Sequence, residues 1–218
     1  MALDINDYTL IVSLAFLVAG FVKGVTGMGL PPIAIGLMAV VVAPVQAAAL
    51  IVVPSMVSNV WQMLIGPGFW LALRRFAGLL VMVCMGAAFG VGVLTGSTPA
   101  YATLVLGLVL FVYAVLGLFK FNMHVNASQE RWASPLVGGL TGFLAGATGV
   151  SSVPSAPYMN SLGMDKDELL QALGLVFTVG TFALAVGLYL KGRFELAAAW
   201  ESTLCLIPTM AGVLAGEK

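Results

Sequence analysis

Residues 24–32 read Gly24-Val25-Thr26-Gly27-Met28-Gly29-Leu30-Pro31-Pro32, and 122 positions further on the chain reads Gly146-Ala147-Thr148-Gly149-Val150-Ser151-Ser152-Val153-Pro154. Each string interrupts an apolar stretch, 10–43 in the first case and 134–162 in the second. Glycine and proline at this density are not kept inside a straight helix. With the same shift, Gly20, Phe21, Gly24, Thr26, Gly27, Pro32 and Ala34 fall on Gly142, Phe143, Gly146, Thr148, Gly149, Pro154 and Ala156, seven identities in the seventeen positions from 20 to 36. Downstream the register drifts, with Ala49-Leu50 over Ala172-Leu173 at 123 and Gly86 and Gly90 over Gly212 and Gly216 at 126. The chain therefore reads as an internal duplication: residues 1–119, a polar linker at 120–133, and residues 134–218.

Working outward, 61% of the 218 residues are hydrophobic and 8% are charged, against roughly 45–50% and 25% in soluble domains. A soluble fold is excluded. Nine Lys and Arg balance nine Asp and Glu, so no basic footprint for nucleic acid exists. Met1 to Tyr8 carries Asp4 and Asp7 and no basic residue, which leaves out the n-region of a cleaved signal peptide. At about 20 apolar residues per crossing, residues 46–65, 72–95, 99–119, 168–190 and 196–216 each read as one span, separated by punctuation such as Gly66-Pro67-Gly68 and Lys191-Gly192-Arg193. The predicted fold is all-α: a polytopic helical membrane protein of two inverted repeats, each with a broken, re-entrant helical hairpin.

The inversion follows from length. Residues 10–43 would measure about 50 Å as one straight helix, and the arm from Ile33 to Ala43 only about 16 Å, so a hairpin that returns fits better than a crossing. Two hairpins put the N-terminus and the linker on opposite sides. A cytoplasmic linker then leaves Arg74, Arg75, Lys120, Arg131, Lys166 and Lys218 inside and Lys191 and Arg193 outside. The competing arrangement, one bent crossing per segment, satisfies the positive-inside rule equally well.

Two half-helices starting near mid-membrane present unsatisfied N–H groups and about half a positive charge each, an anion site that needs no cationic side chain. Pro31 and Pro32 suit a first helical turn, and Ser151, Ser152 and Ser155 are cap residues around Pro154 and Pro157. Gly24, Gly27, Gly29, Gly146 and Gly149 allow close approach of backbone to a ligand; the alternative is that they only pack helices together. Lys23 is the one basic residue deep in an apolar segment, while its counterpart Ala145 is uncharged. It pairs as an ammonium with a bound anion, loses its proton when the site empties, or snorkels to an interface. Ser55, Ser58, Asn59 and Gln62 share one helix face, and Thr178 and Thr181 stand over Ser55 and Ser58 at offset 123. The expected substrate ligands are thus Lys23, Gly24, Thr26, Gly27, Gly29, Pro31, Pro32, Ser58, Asn59, Gln62, Thr148, Gly149, Ser151, Ser152, Pro154, Thr178 and Thr181. Glu201 reads as interfacial and His124 as a solvated loop residue. No metal or cofactor motif is present, and no catalytic residue is expected. Two rival chemistries use other residues: a serine hydrolase on Ser151 or Ser152, which lacks a nearby base, and a thiol-disulfide electron carrier on Cys84 and Cys205, which read more simply as packing.

The doubled glycine-rich break with downstream proline, Gly24 to Pro32 and Gly146 to Pro154, each followed by a short loop and an Ala-Leu helix, resembles the TauE/SafE family of sulfite exporters over nearly the whole chain. The resemblance implies a multi-pass protein of the bacterial inner membrane. It would move sulfur-containing oxyanions such as sulfite, sulfoacetate or another organosulfonate, by proton exchange or on the membrane potential, and would not be an enzyme. A transporter of another small organic anion is the alternative. It also implies that residues 23–32 and 146–154 carry the binding elements. Val150-Ser151-Ser152 departs from the family's Gly-Gly at that place and adds hydroxyl donors. Finally, the span 99–119 has its counterpart expected at 225–245, beyond Lys218, so the second repeat is expected to be one helix short, with a flank that a homodimer would cover.

Overall fold

The computed structural model describes residues 5–96, 98–118, 124–194 and 196–217. Asp4, cited above against a signal peptide, Lys120 and Lys218, which enter the topology argument, and part of the 120–133 linker lie outside the described residues. Twelve helices follow one another among the described residues: α1 (Ile5–Thr26), α2 (Leu30–Met38), α3 (Pro44–Leu50), α4 (Val52–Ile65), α5 (Phe69–Arg75), α6 (Ala77–Gly96), α7 (Pro99–Leu118), α8 (Ala127–Thr148), α9 (Ser152–Asn160), α10 (Lys166–Leu190), α11 (Leu196–Leu204) and α12 (Leu206–Gly216). Five are long and apolar enough to cross a membrane, or six when α3 and α4, bent by 43°, count as one span.

The helix bounds repeat. α8 and α9 lie 122 residues beyond α1 and α2 at both ends, and α10 begins 122 residues beyond α3. Each hairpin returns to the end it starts from. Gln46 Nε2, just past the first hairpin, donates to Tyr8 Oη at 3.2 Å, and Val125 N, just before α8, donates to Ser161 O at 3.1 Å. The bent-crossing arrangement is thereby overturned. Gln62 meets Leu170 while Asn59 meets Thr181, so α4 and α10, equivalent in the two halves, run antiparallel, as inverted repeats require.

What holds the long helices together is the absence of side chains. On α1, a Cβ at Gly20 or Gly24 would stand 2.3 Å from the carbonyl oxygens of Thr209 or Val213 on α12; on α8, one at Gly142 or Gly146 would stand 2.0 and 2.4 Å from those of Val83 and Ala87 on α6. Gly212 and Gly216 answer from α12, Gly86 and Gly90 from α6, with the same backbone approach. In lipid, where burial gives helices little reason to associate, such close van der Waals packing is what joins them. α7 instead shows Leu104, Leu108 and Phe111 to the outside at 59–67% exposure, the lipid face of a span. No helix equivalent to α7 occurs among the described residues of the second half.

Several boundaries differ from the sequence reading. α8 begins at Ala127 and not near 134, because Asn126 and Gln129 form a capping box that starts the helix inside the polar linker. α1 runs unbroken to Thr26, so the first break spans only three residues, 27–29. The span 46–65 is bent at Ile51, that at 196–216 is divided at Cys205, and the one at 72–95 is α6 preceded by the short α5. On the face that carries Arg74 and Arg75, Arg75 makes a bidentate pair with Glu130 at 2.6 and 2.8 Å, tying α5 to α8. That hydrogen bond raises the guanidinium's already high pKa, against a smaller opposing effect of burial.

Candidate functional site

Both breaks are made by one device. Thr26 Oγ1 donates back to Val22 O at 2.8 Å and accepts from Met28 N at 3.3 Å; Thr148 Oγ1 donates back to Leu144 O at 2.7 Å and accepts from Val150 N at 3.2 Å. Gly27 and Gly149 follow at φ 74° and 79°, the left-handed conformation that ends a helix. The two threonine hydroxyls, expected as anion ligands, are therefore occupied in stopping their helices. Of the expected caps, Ser151 holds the N-cap position of α9 without a side-chain bond, and Ser155 Oγ donates to Ser151 O at 2.6 Å; the N-cap of α2 is Gly29, which was expected only to let backbone approach a ligand.

A cavity of about 520 Å³ opens beside the first break, between the C-terminal ends of α1, α4 and α12, the α4–α5 turn and the start of α10. Of the expected ligands, Lys23, Gly24, Thr26, Gly27, Ser58 and Gln62 line it. Trp61, Ile65, Leu170, Met210 and Val213 supply an apolar wall, and Lys166, Asp167 and Glu217 stand at the mouth. Lys23 is 5% exposed and donates to Asn59 Oδ1, while Asn59 Nδ2 donates to Thr181 Oγ1 at 3.4 Å. A polar thread thus joins α1, α4 and α10. It does not snorkel, and no carboxylate pairs with it among the described residues. An ammonium carries three donors; Asn59 takes one, which leaves two for a ligand.

The second break lies outside this cavity. Gly149 is walled by Ile35, Ile51 and Ala48. Ser151 packs with its Cβ against Gly180, next to Thr181, so the break sits behind the polar thread. Ser152 is 3% exposed and its Oγ has no partner, although Tyr113 of α7 leans toward it without reaching hydrogen-bond geometry. Pro31 and Pro32 occupy the first turn of α2, Thr178 bonds back to Gly174 O at 2.7 Å, and Ser58 bonds to Pro54 O at 2.7 Å. Gly29 is buried, and Pro154 lies within α9. Ser55 Oγ and Gln62 Oε1 are buried without partners.

The rival chemistries find no support in this placement. His124 is exposed before the start of α8, at the opposite end of that helix from Ser152. Cys84 is free on the outer face of α6, and Cys205 is free and buried among Val12, Phe16 and Leu50. Glu201 is exposed.

Gln171 lies outside the expected set of ligands. It is 1% exposed; its Nε2 donates to Met63 O at 2.9 Å and Gly66 O at 2.7 Å, and its Oε1 accepts from Gly68 N at 2.7 Å. All of its amide is spent on fixing the end of α4 and the turn at the cavity rim. The available signal was a lone Gln inside an apolar span, where a polar group must find a partner.

Over residues 12–218 the sequence matches the family model described as sulfite exporter TauE/SafE. No curated protein and no solved structure matches it.

Proposed function

We propose that this chain, which belongs to the sulfite exporter TauE/SafE family, carries a sulfur-containing oxyanion, sulfite or an organosulfonate, from the cytoplasm across the bacterial inner membrane. Lys23 is the observation that carries the reading: a buried amine, held by one neutral amide, lining a cavity open to one face, where a bound anion favours its ammonium form. A buried charge without a counter-ion is costly, and a bound anion supplies the counter-charge. The cavity opens on the face of Arg74, Arg75, Arg131 and Lys166, which the positive-inside rule makes cytoplasmic, so the substrate loads from inside. Its volume and the wall of Trp61, Met210 and Val213 favour an organosulfonate with an apolar tail over bare sulfite. The two repeats then rock about the site to expose it on the other side.

The test is calorimetric titration of the purified protein with sulfite, thiosulfate, methanesulfonate, benzenesulfonate and benzoate, on wild type and Lys23→Met. A sulfonate or sulfite should bind more tightly than benzoate, and Lys23→Met should weaken it at least tenfold, about 1.4 kcal/mol. Equal affinity in the variant would remove the site from Lys23.

A further inference from the structure

The cavity has a counterpart that is closed. The 122-residue shift that carries α1 onto α8 also carries the cavity wall onto other residues: Gln62 onto Leu184, Gly66 onto Leu188, and Leu170 onto Ala48. These three are 0–2% exposed and belong to one apolar cluster, which Val91 and Leu94 of α6 and Ala102 of α7 complete. Because α4 and α10 run antiparallel, the shift sends the open end of the cavity to the opposite face of the protein. The helix starts at Pro44 and Lys166 set this pair at 122 and not at the offset of 123 expected above, so the shift turns Lys23 into Ala145, Ser58 into Gly180 and Asn59, in place of Ser58, into Thr181.

We propose, resting on the transport reading above, that the Ala48–Leu184–Leu188 cluster is the exit gate for the anion, and that the gate offers it no ligand. Gln62, Gly66 and Leu170 of the loading side have their equivalents in the plug, so this part of the wall exists here in an open and a closed form. Bistable packing of this kind lets two repeats exchange conformations. The loading side presents an ammonium and amides; the exit side presents methyl groups. An anion that passes Leu184 meets no buried cation, and Lys191 and Arg193 in the turn beyond are exposed, where water screens them, so release is favoured and rebinding from that face is weak.

The test uses the full chain in sealed proteoliposomes, with Cys84→Ala and Cys205→Ala removing the native thiols. A membrane-impermeant maleimide is applied to the face that carries the Lys191–Arg193 turn. Leu188→Cys should react at least tenfold more slowly than Arg193→Cys in the exposed turn beside it. Adding Leu184→Ala should speed the reaction of Leu188→Cys at least fivefold, while Leu184→Met should leave it slow. Equal rates at positions 188 and 193, or no acceleration by Leu184→Ala in a folded protein, overturn the gate. Should Leu184→Ala not fold, Leu188→Cys alone decides: methanesulfonate added on the cavity side should accelerate its labelling, and an unchanged rate overturns the proposal. Methanesulfonate flux in the same vesicles tests the transport reading separately. Wild-type vesicles without flux sink that reading, and the labelling contrast between positions 188 and 193, with its response to Leu184→Ala, still decides the gate.

Discussion

Thr26-Gly27 and Thr148-Gly149 stop their helices with the same pair of threonine bonds and the same left-handed glycine, yet one faces a cavity and the other a sealed core. The difference is set by the residues that the fold brings up to each turn. Leu170 and Gln62 stand over Gly27, and beyond them is open space; Ile35, Ile51 and Ala48 close on Gly149. Local sequence dictates the break in the backbone, and remote sequence dictates whether the break is usable. Four tests, on six substitutions, would break or sharpen this contrast.

The largest effect is expected from moving the charge. Ala145→Lys places an ammonium in the sealed half, where Ala145 is 2% exposed and no amide waits for it, and should cost about 3–5 kcal/mol of stability. Lys23→Met should not destabilise the fold, since it removes a desolvated charge. Thermal unfolding in detergent compares the two, and similar melting of Ala145→Lys and wild type would mean that the halves are not distinct in polarity.

Next comes the pair of turns. A Cβ at Gly149 meets Ile35 Cδ1 at 2.7 Å and Ile51 Cδ1 at 3.1 Å, both hemmed in; one at Gly27 meets Leu170 Cδ2 at 2.2 Å, but Leu170 borders the cavity and can swing into it. Both positions carry left-handed strain of about 1–2 kcal/mol, and overpacking adds about 1–3 kcal/mol at the sealed turn. Gly149→Ala should therefore lower the melting temperature more than Gly27→Ala, despite the shorter nominal contact at Gly27. The reverse order would show that the cavity wall is rigid.

Gln171→Ala removes three hydrogen bonds at the rim and should cost about 1–3 kcal/mol. Loss should be confined to the Gly66-Pro67-Gly68 turn, read as faster amide exchange there with little change around Gly149. Spread of the effect to the sealed half would mean that the two ends are coupled through α10. Smallest is Arg75→Gln. The pair with Glu130 is partly exposed, with the Arg75 side chain at 37%, so its loss should cost under about 1 kcal/mol and shrink further in high salt. An effect that ignores salt would assign Arg75 a packing role.

The sequence carried the architecture well because its signals are covalent and local. Glycine and proline mark the breaks, and a fixed shift of 122 relates them. The start of α8 is hidden in the sequence because Gln129, Glu130 and Arg131 look like linker, and only the capping box makes them helical. The bend at Ile51 has its cause in Pro54: proline has no N–H for the carbonyl of Leu50, which accepts from Ser202 Oγ at 2.8 Å instead, and the reading of 46–65 as one straight span passes over that proline. At Thr26 and Thr148 a hydroxyl beside a glycine suits both an anion ligand and a helix stop, and the stop shows only in the backbone bonds that the fold completes. The plug was invisible for a different reason: Leu184 and Leu188 are ordinary residues of an apolar span, and they acquire meaning only beside Gln62 and Gly66.

Asn59 and Thr181 are separated by the same 122 residues as the two breaks, and they touch. Residues that are equivalent in the two halves and also in contact lie on the pseudo-two-fold axis, the place where an isologous dimer of half-length chains brings a residue against its own copy. In such a dimer the two positions are one codon and must be the same amino acid. Fusion removes that constraint: one copy keeps an amide able to hold an ammonium, the other a hydroxyl to steady the amide. A single chain can then place one positive charge beside its axis, where a symmetric pair is limited to two or none.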